Sequence, residues 1–181
     1  MTLEIIVFDV DSVLADLQTV WLGDYNKDWK DNLTSAQLLH WDMHKFVTPE
    51  CGTDIYKYLT AEIYDRVKPF EGARDCVVAA RTMARVIFAT SAPTNSYGRK
   101  YQWLKEHRFI DDPKDYVECM DKGLVRGNVL IDDYHENLYK FVGRKILYSA
   151  PWNLSAQDHC KKVGINIAHN YDDVLDILRK L

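Results

Sequence analysis

Two acidic side chains follow the first apolar run of the sequence directly, at a spacing that suits metal-assisted chemistry. Residues 3–8 read LEIIVF, and Asp9-Val10-Asp11 comes next. A short run rich in β-branched residues is typical of a buried parallel strand. Residues i and i+2 of an extended segment point the same way, so both carboxylates can face one small volume. Because like charges that close are costly without a cation or a proton, we expect a divalent-metal site in which Asp9 also does chemistry.

Two further predicted strands end in polar side chains of a complementary kind. The run 86–89 ends at Thr90-Ser91, and the run 128–131 ends at Asp132-Asp133. Open α/β sheets build their ligand sites beyond the carboxyl ends of parallel strands, so these strand ends should converge on one edge. Lys100, on the helix predicted after the second of these strands, can supply a positive charge there.

Phosphoryl transfer is the chemistry that this set of groups predicts. A phosphate monoester is a dianion, so an attacking carboxylate needs Mg²⁺ and cationic side chains to neutralise the charge. We expect Asp9 to attack phosphorus, and Asp11 to protonate the leaving alkoxide and then activate water. The predicted metal ligands are Asp9, Asp11 and Asp132, and Asp133 is expected to support them from beside the ligand set. The side chains predicted to bind the phosphate are Thr90, Ser91 and Lys100.

Each of these groups also has an ordinary structural explanation. Acids after a strand often close turns, Thr90-Ser91 could cap the next helix, and a helical lysine is usually solvated. The conjunction decides between the two explanations, because three strand ends in the right order each carry a group that the reaction requires.

Length and composition favour one globular domain with a small insertion. The chain has 181 residues, is 47% hydrophobic and carries a net charge of −4 at pH 7. A negative charge argues against a sequence-independent grip on long nucleic acid, which needs a basic face. The four cysteines form no CxxC pair, the first strand leaves no room for a signal peptide, and no apolar stretch is long enough for a membrane span. We therefore expect a cytoplasmic protein with no membrane partner.

Strands alternate with helices along most of the chain, which predicts a Rossmann-like parallel sheet with helices on both faces. The segment 17–68 interrupts this alternation, is aromatic and shows no strand pattern, so it is predicted to be a small helical cap. The predicted domains are a core of 1–16 with 69–181 and a cap of 17–68. The predicted strands are 3–8, 86–89, 117–119, 128–131, 145–148 and 164–167. The predicted helices are 14–31, 35–39, 55–64, 73–83, 97–107 and 172–181, the last with Asp172 as N-cap.

The motifs resemble those of the haloacid dehalogenase (HAD) superfamily, in which a second aspartate marks the phosphatase branch. The matching residues are Asp9 to Val13, Thr90-Ser91, Lys100 and Asp132-Asp133. A narrower resemblance is to the 5'(3')-deoxyribonucleotidases. It covers DVDSVLAD at 9–16, the T-S-x-P pattern at 90–93, KYQWLKE at 100–106, LIDD at 130–133, KILY at 145–148 and the following Trp152-Asn153. This resemblance implies magnesium-dependent removal of phosphate from nucleoside monophosphates, with deoxy forms favoured and the cap over the base.

Three positions depart from the pattern of that family. Ser12 stands where glycine is usual, Leu17 where an aromatic that contacts the base is common, and Tyr134 where arginine is common. These changes spare the chemistry and bear on substrate preference. The aromatic residues of the cap suit the flat apolar walls that a base needs, although for any single one of them core packing is the favoured explanation. The predicted pocket residues are Leu17, Trp21, Trp41 and Tyr134.

More than one function is compatible with these residues. The leading hypothesis is hydrolysis of (deoxy)nucleoside monophosphates through an aspartyl-phosphate. A phosphatase of the same superfamily could instead act on a nucleic-acid 3'-phosphate end or on a small phosphometabolite. The third hypothesis is a non-catalytic nucleotide-binding protein, and the complete set of catalytic groups argues against it. A homodimer could cover the open side of the site.

Overall fold

An all-parallel sheet organises the chain in the computed structural model, which describes residues 3–92 and 98–181. Within these residues the sheet has six strands in the order β3-β2-β1-β4-β5-β6. The strands are β1 (Ile5–Phe8), β2 (Arg85–Thr90), β3 (Tyr116–Glu118), β4 (Val129–Asp132), β5 (Arg144–Tyr148) and β6 (Asn166–Ala168). The predicted fold class is therefore confirmed. The strand order makes β1 central, with β2 and β4 as its direct neighbours.

Helices cover both faces of the sheet. The α-helices are α1 (Leu17–Trp29), α2 (Ala73–Arg81), α3 (Arg99–Glu106), α4 (His135–Lys140), α5 (Gln157–Lys162) and α6 (Tyr171–Arg179). Successive strand side chains point to opposite faces, and the core divides accordingly. Ile6 and Phe8 of β1 belong to the larger apolar cluster, whereas Val7 belongs to the smaller one. None of the helices in the described ranges combines the length and the apolarity that crossing a membrane requires.

The insertion, residues 17–68, lies between β1 and β2 and consists of α1 and four short 3₁₀ helices. The 3₁₀ helices are Ser35–Gln37, Met43–Lys45, Gly52–Tyr58 and Ala61–Asp65. Asp16 caps α1, since its side chain accepts hydrogen bonds from the backbone N and the hydroxyl of Thr19. Trp21 fastens α1 to the third 3₁₀ helix by donating from Nε1 to the Ile55 carbonyl at 2.7 Å. The insertion thus packs through buried aromatics onto the larger apolar cluster.

Several sequence-based boundaries differ from the observed elements. The helix predicted at 55–64 is two 3₁₀ helices that are interrupted at Leu59 and Thr60, and the one predicted at 35–39 is a single 3₁₀ turn. The predicted N-cap Asp172 is wrong, because the side chain of Asn170 accepts the hydrogen bond from Asp173 N and caps α6. The predicted start of a helix at Tyr97 lies outside the described residues, as does Pro93 of the T-S-x-P pattern. Helices α4 and α5 are absent from the prediction; each has only six residues.

Candidate active site

The central strands bring three acidic side chains together at the carboxyl edge of the sheet. Phe8 of β1 pairs with Ile131 of β4, and the backbone N of Asp9 donates to the Ile131 carbonyl at 2.9 Å. This register sets Asp9 beside the Asp132-Asp133 pair that ends β4. One carboxylate oxygen from each of the three lies within 4.8 Å of the others, and all three residues are buried. Their proximity follows from the register of parallel strands, as the sequence indicated.

A lysine that sequence reasoning missed lies among these acids. Lys122 begins a 3₁₀ turn between β3 and β4, and its Nζ lies 2.6 Å from Asp9 Oδ1 and 2.7 Å from Asp132 Oδ2. The side chain is 1% exposed. Burial alone would lower the pKa of Lys122, but the carboxylates of Asp132 and Asp9 raise it above its usual value, so the side chain stays charged. A single lysine in an irregular connection carries no pattern from which this position could be inferred.

One lysine offsets only part of the charge that three ionised carboxylates would carry. Burial raises the pKa of Asp9 to about 7, opposed by Lys122 and reinforced by Asp132 and Asp11. Burial also raises the pKa of Asp133 well above its usual range, with Asp132 and Asp9 adding to the effect. Buried carboxylates that destabilise one another in this way fit a divalent cation, and hard carboxylate oxygens are the ligands that Mg²⁺ prefers.

The two acids that end β4 are engaged differently. Asp132 accepts hydrogen bonds from Tyr134 N at 2.8 Å and from Asn137 Nδ2 at 3.1 Å, besides its contact with Lys122. Asp133 Oδ2 accepts from Trp152 Nε1 at 2.8 Å, and Asp133 lines the cavity in front of the acids. Asp133 therefore has the better access to a bound cation, whereas Asp132 holds Lys122. The sequence-based prediction ranked the pair in the other order, with Asp132 in the ligand set and Asp133 beside it.

Asp11 belongs to a second group of side chains. Its carboxylate accepts a hydrogen bond from the Tyr64 hydroxyl at Oδ1, and Lys100 Nζ lies 2.5 Å from Oδ2. Its oxygens thus have partners outside the cluster of Asp9, Asp132 and Asp133, which argues against its predicted role as a side-chain metal ligand. Burial, and then the negative charge of Asp11, raise the pKa of Tyr64, so its hydroxyl stays a donor.

The residues predicted to bind phosphate lie around the same lysine. Lys100 Nζ donates to Thr90 Oγ1 at 3.1 Å and to the carbonyl oxygen of Ser91. The Ser91 hydroxyl donates to the Cys119 carbonyl at 3.1 Å, beyond the end of β3. Thr90, Ser91 and Lys100 therefore meet beside Asp11, and two lysines face the acids from separate connections of the sheet.

A cavity of about 500 Å³ opens in front of these groups. Its floor includes Asp9, Asp11, Thr90 and Lys122. Its walls are aromatic and apolar, and the four predicted pocket residues Leu17, Trp21, Trp41 and Tyr134 all line it, together with Tyr56 and Met43, which the prediction omitted. This volume and lining are typical of a small-molecule site.

One wall of the cavity joins the insertion to the core. The rings of Trp41 and Tyr134 stack with their centroids 3.9 Å apart and an interplanar angle of 19°. Trp41 comes from the insertion, and Tyr134 follows the acid pair of β4. Tyr134, at the position where the resemblance leads one to expect arginine, thus contributes an apolar face and not a positive charge.

The loop after Asp9 contains a serine in a backbone conformation that favours glycine. Ser12 has a φ of 61° and is buried. Its hydroxyl accepts a hydrogen bond from Gln18 Nε2 at 2.8 Å, and its backbone N donates to the Ala15 carbonyl at 2.9 Å. These bonds hold the strained residue in place close to Asp9.

Comparisons with known proteins agree with the geometry. The family model described as "5' nucleotidase, deoxy (Pyrimidine), cytosolic type C protein" matches residues 3–181. A 5'(3')-deoxyribonucleotidase of Clostridium acetobutylicum is 32% identical over 150 residues, which are 81% of this chain and 82% of the relative. A 5'(3')-deoxyribonucleotidase of Bacillus subtilis is 28% identical over 152 residues, 83% of this chain and 87% of the relative.

Solved structures with low sequence identity share the fold. A haloacid dehalogenase-like hydrolase from Streptococcus pneumoniae superposes with a TM-score of 0.66 at 14% identity, over 97% of this chain and 98% of the other. A HAD hydrolase from Bacillus subtilis, solved with bound magnesium, gives a TM-score of 0.61 at 12% identity, over 98% and 99% of the two chains. With its fold, its acid cluster and these relatives, the chain belongs to the 5'(3')-deoxyribonucleotidase family of the HAD superfamily.

Proposed function

We propose that this protein is a magnesium-dependent phosphatase that hydrolyses deoxyribonucleoside monophosphates to nucleoside and phosphate. The observation that carries the proposal is the Asp9 carboxylate, buried between Lys122 and two further acids on the floor of an aromatic-walled cavity. The named activity of the Clostridium and Bacillus relatives supports the choice of substrate.

The metal site follows from the access of each acid to the cavity. Asp9 and Asp133 would hold Mg²⁺, since both line the cavity, and Asp132 would keep Lys122 in place. Bound there, the ion supplies positive charge that offsets the phosphate dianion and the ligating carboxylates. Trp152, through its hydrogen bond to Asp133, orients one ligand.

The side chains around the cavity suit a reaction in two displacements. In the first, an Asp9 oxygen forms a bond to phosphorus while the ester P–O bond breaks, and Asp11 gives a proton to the departing oxygen. In the second, Asp11 takes a proton from water as the water oxygen attacks phosphorus and the bond to Asp9 breaks. Lys100 and Thr90, which lie beside Asp11, stabilise the charge on the phosphoryl oxygens in both.

The insertion acts as a cap that recognises the nucleoside. Trp21 and Trp41 of the insertion, together with Tyr134 of the core, provide flat faces for a base, and Leu17 adds an aliphatic contact. The core of 1–16 and 69–181 then supplies the chemistry, and the cap of 17–68 supplies most of the recognition.

Phosphate release from a panel of deoxyribonucleoside and ribonucleoside monophosphates tests the proposal. We expect turnover with Mg²⁺, none with EDTA, and a loss of at least about 10³-fold for Asp9→Asn, which removes the attacking carboxylate. Asp111→Asn, on an exposed connection, is the matched control and should keep wild-type turnover. Activity on sugar phosphates with silence on every nucleotide would contradict the substrate assignment and leave the mechanism standing.

A cytoplasmic location is part of the same proposal. The cysteines Cys51, Cys76, Cys119 and Cys160 are all unpaired, as is usual for thiols in a reducing cytoplasm. A homodimer that covers the open side of the cavity stays a prediction, which sedimentation or gel filtration tests.

A further inference from the structure

A tyrosine of the insertion reaches the acid that handles protons. Tyr64 lies on the 3₁₀ helix Ala61–Asp65 and is 5% exposed. Its hydroxyl donates to Asp11 Oδ1. The sequence prediction gave this residue no role, because one aromatic among many in the insertion carries no distinguishing pattern.

The same tyrosine also contacts the other partner of Asp11. Lys100 Nζ, which lies 2.5 Å from Asp11 Oδ2, is 5.7 Å from the centroid of the Tyr64 ring. Asp11 is thus restrained at Oδ1 by the insertion and at Oδ2 by α3 of the core. Proton transfer from Asp11 requires its carboxyl group to lie at hydrogen-bond distance from the ester oxygen. Restraint of the side chain favours that position, since misplacement of a catalytic group by about 1 Å can cost about 100-fold in rate.

The backbone that follows Tyr64 is tied to two neighbouring helices. Arg66 makes paired hydrogen bonds to Asp24 of α1, at 2.7 and 2.6 Å. Trp103 of α3 donates from Nε1 to the Val67 carbonyl at 2.9 Å. These contacts tie the segment directly after the 3₁₀ helix to α1 and to α3, which helps to hold the Tyr64 hydroxyl against Asp11.

We propose that Tyr64 is a positioning residue for the reaction, which holds the Asp11 carboxylate in the orientation from which it gives its proton to the leaving oxygen. The proposal rests on the function proposed above and adds to it that the cap takes part in proton transfer as well as in recognition. No proton of Tyr64 is transferred; its O–H only donates a hydrogen bond to Asp11 before and after the ester P–O bond breaks.

Leaving groups that differ in their need for a proton provide the test. The variant Tyr64→Phe keeps the ring and removes the hydroxyl. A nucleoside or a phenolate needs a proton to leave, whereas p-nitrophenolate leaves readily without one. We therefore expect kcat/KM for a deoxyribonucleoside monophosphate and for phenyl phosphate to fall about 3- to 10-fold, the loss typical of one hydrogen bond. For p-nitrophenyl phosphate, kcat/KM should change by less than about twofold.

Two companion variants make the comparison decisive. Asp11→Asn should discriminate between the esters in the same direction and more strongly, and adding Tyr64→Phe to it should cause no further loss, because the hydroxyl acts through Asp11. Tyr58→Phe removes another tyrosine hydroxyl of the insertion, which donates to Asp28 at 3.0 Å, and should leave all three substrates unaffected.

Equal losses in kcat/KM on all esters would identify Tyr64 as a packing residue and overturn the proposal. A Tyr64→Phe variant with wild-type kcat/KM on every ester would also overturn it. A further loss in the Asp11→Asn background would overturn it as well. Failure of the proposed function has a different signature: the wild-type enzyme would cleave the aryl esters and no deoxyribonucleotide. The comparison of phenyl with p-nitrophenyl phosphate would then still decide the role of Tyr64.

Discussion

Lys122 Nζ lies 2.6 Å from Asp9 Oδ1, so a buried lysine and the carboxylate that we propose attacks phosphorus form one unit. Asp132 completes it from the other side at 2.7 Å. A buried charge without its partner is far more costly than a buried pair, so each member of this unit depends on the others.

Replacing Lys122 by Met should therefore impair both stability and catalysis. In EDTA, we expect the free energy of unfolding to fall by about 3–5 kcal/mol, the usual cost of leaving buried charge uncompensated. With Mg²⁺ we expect kcat to fall by at least about 100-fold, because Asp9 loses the cation that lowers its pKa and keeps it ionised for attack. Thermal melts with EDTA and with Mg²⁺ and initial rates check this, and Mg²⁺ should raise the melting temperature of the variant more than that of the wild type. The exposed Lys105→Met is the control; wild-type rates in Lys122→Met would contradict the role of Lys122.

Removing the donor to Asp133 should weaken the binding of Mg²⁺ more than it slows turnover. Trp152→Phe keeps a ring in place and deletes the Nε1–H that contacts Asp133 Oδ2 at 2.8 Å. We expect the Mg²⁺ concentration at half-maximal activity to rise about 10- to 100-fold, the range seen when a ligand loses its supporting hydrogen bond. Turnover at saturating Mg²⁺ should stay near that of the wild type. Trp29→Phe, outside the cavity lining, serves as the control, and an unchanged Mg²⁺ requirement in Trp152→Phe would argue against Asp133 as a ligand.

Two substitutions of Ser12 should have different effects on stability. Ser12→Ala keeps the unfavourable φ of 61° and removes the acceptor of Gln18 Nε2, so we expect a loss of about 1–2 kcal/mol. Ser12→Gly also removes that acceptor, but it relieves the strained backbone, which offsets much of the loss. Urea denaturation of both variants measures the difference. If Ser12→Gly proved as unstable as Ser12→Ala, backbone strain at this position would be insignificant.

The contact between Asp24 and Arg66 should give a stability contribution that disappears in acid. The hydrogen bonds from Arg66 lower the pKa of Asp24, against the opposing effect of burial. A carboxyl whose pKa is lowered by folding stabilises the protein above its unfolded pKa of about 3.9 and loses that effect as the pH falls through the folded value. Asp24→Asn should therefore melt slightly below the wild type at pH 7, and the difference in melting temperature should shrink as the pH falls below about 3.9. A difference in melting temperature that stayed constant with pH would contradict this assignment.

The parts of the site that follow from strand register could be predicted from the sequence. Asp9 and Asp132 directly follow apolar runs, and parallel pairing of β1 with β4 brings such residues to one edge. Lys122, Trp152 and Tyr64 come from connections and from the insertion, where no periodicity relates a residue to its position in space. Long-range packing alone brings them to the acids.

The secondary structure of the insertion could likewise be predicted only in part from the sequence. Its aromatic content and its lack of strand pattern predicted a helical segment, and α1 is present. Short 3₁₀ helices have no distinct amphipathic period. The sequence pattern of 55–64 therefore predicts one helix, although the stretch contributes to two 3₁₀ helices. Their conformation depends on contacts such as the one between Trp21 Nε1 and the Ile55 carbonyl, which lie far apart in sequence.

The stack of Trp41 on Tyr134 bears on how fast the product can leave. One ring belongs to the insertion and the other to the sheet edge, so any swing of the insertion away from the sheet must pull them apart. Such ring pairs contribute about 0.5–1.5 kcal/mol, which corresponds to a delay in opening of roughly 2- to 12-fold. Any movement of the insertion that lets a dephosphorylated nucleoside leave must therefore break a contact that takes no part in the chemical step.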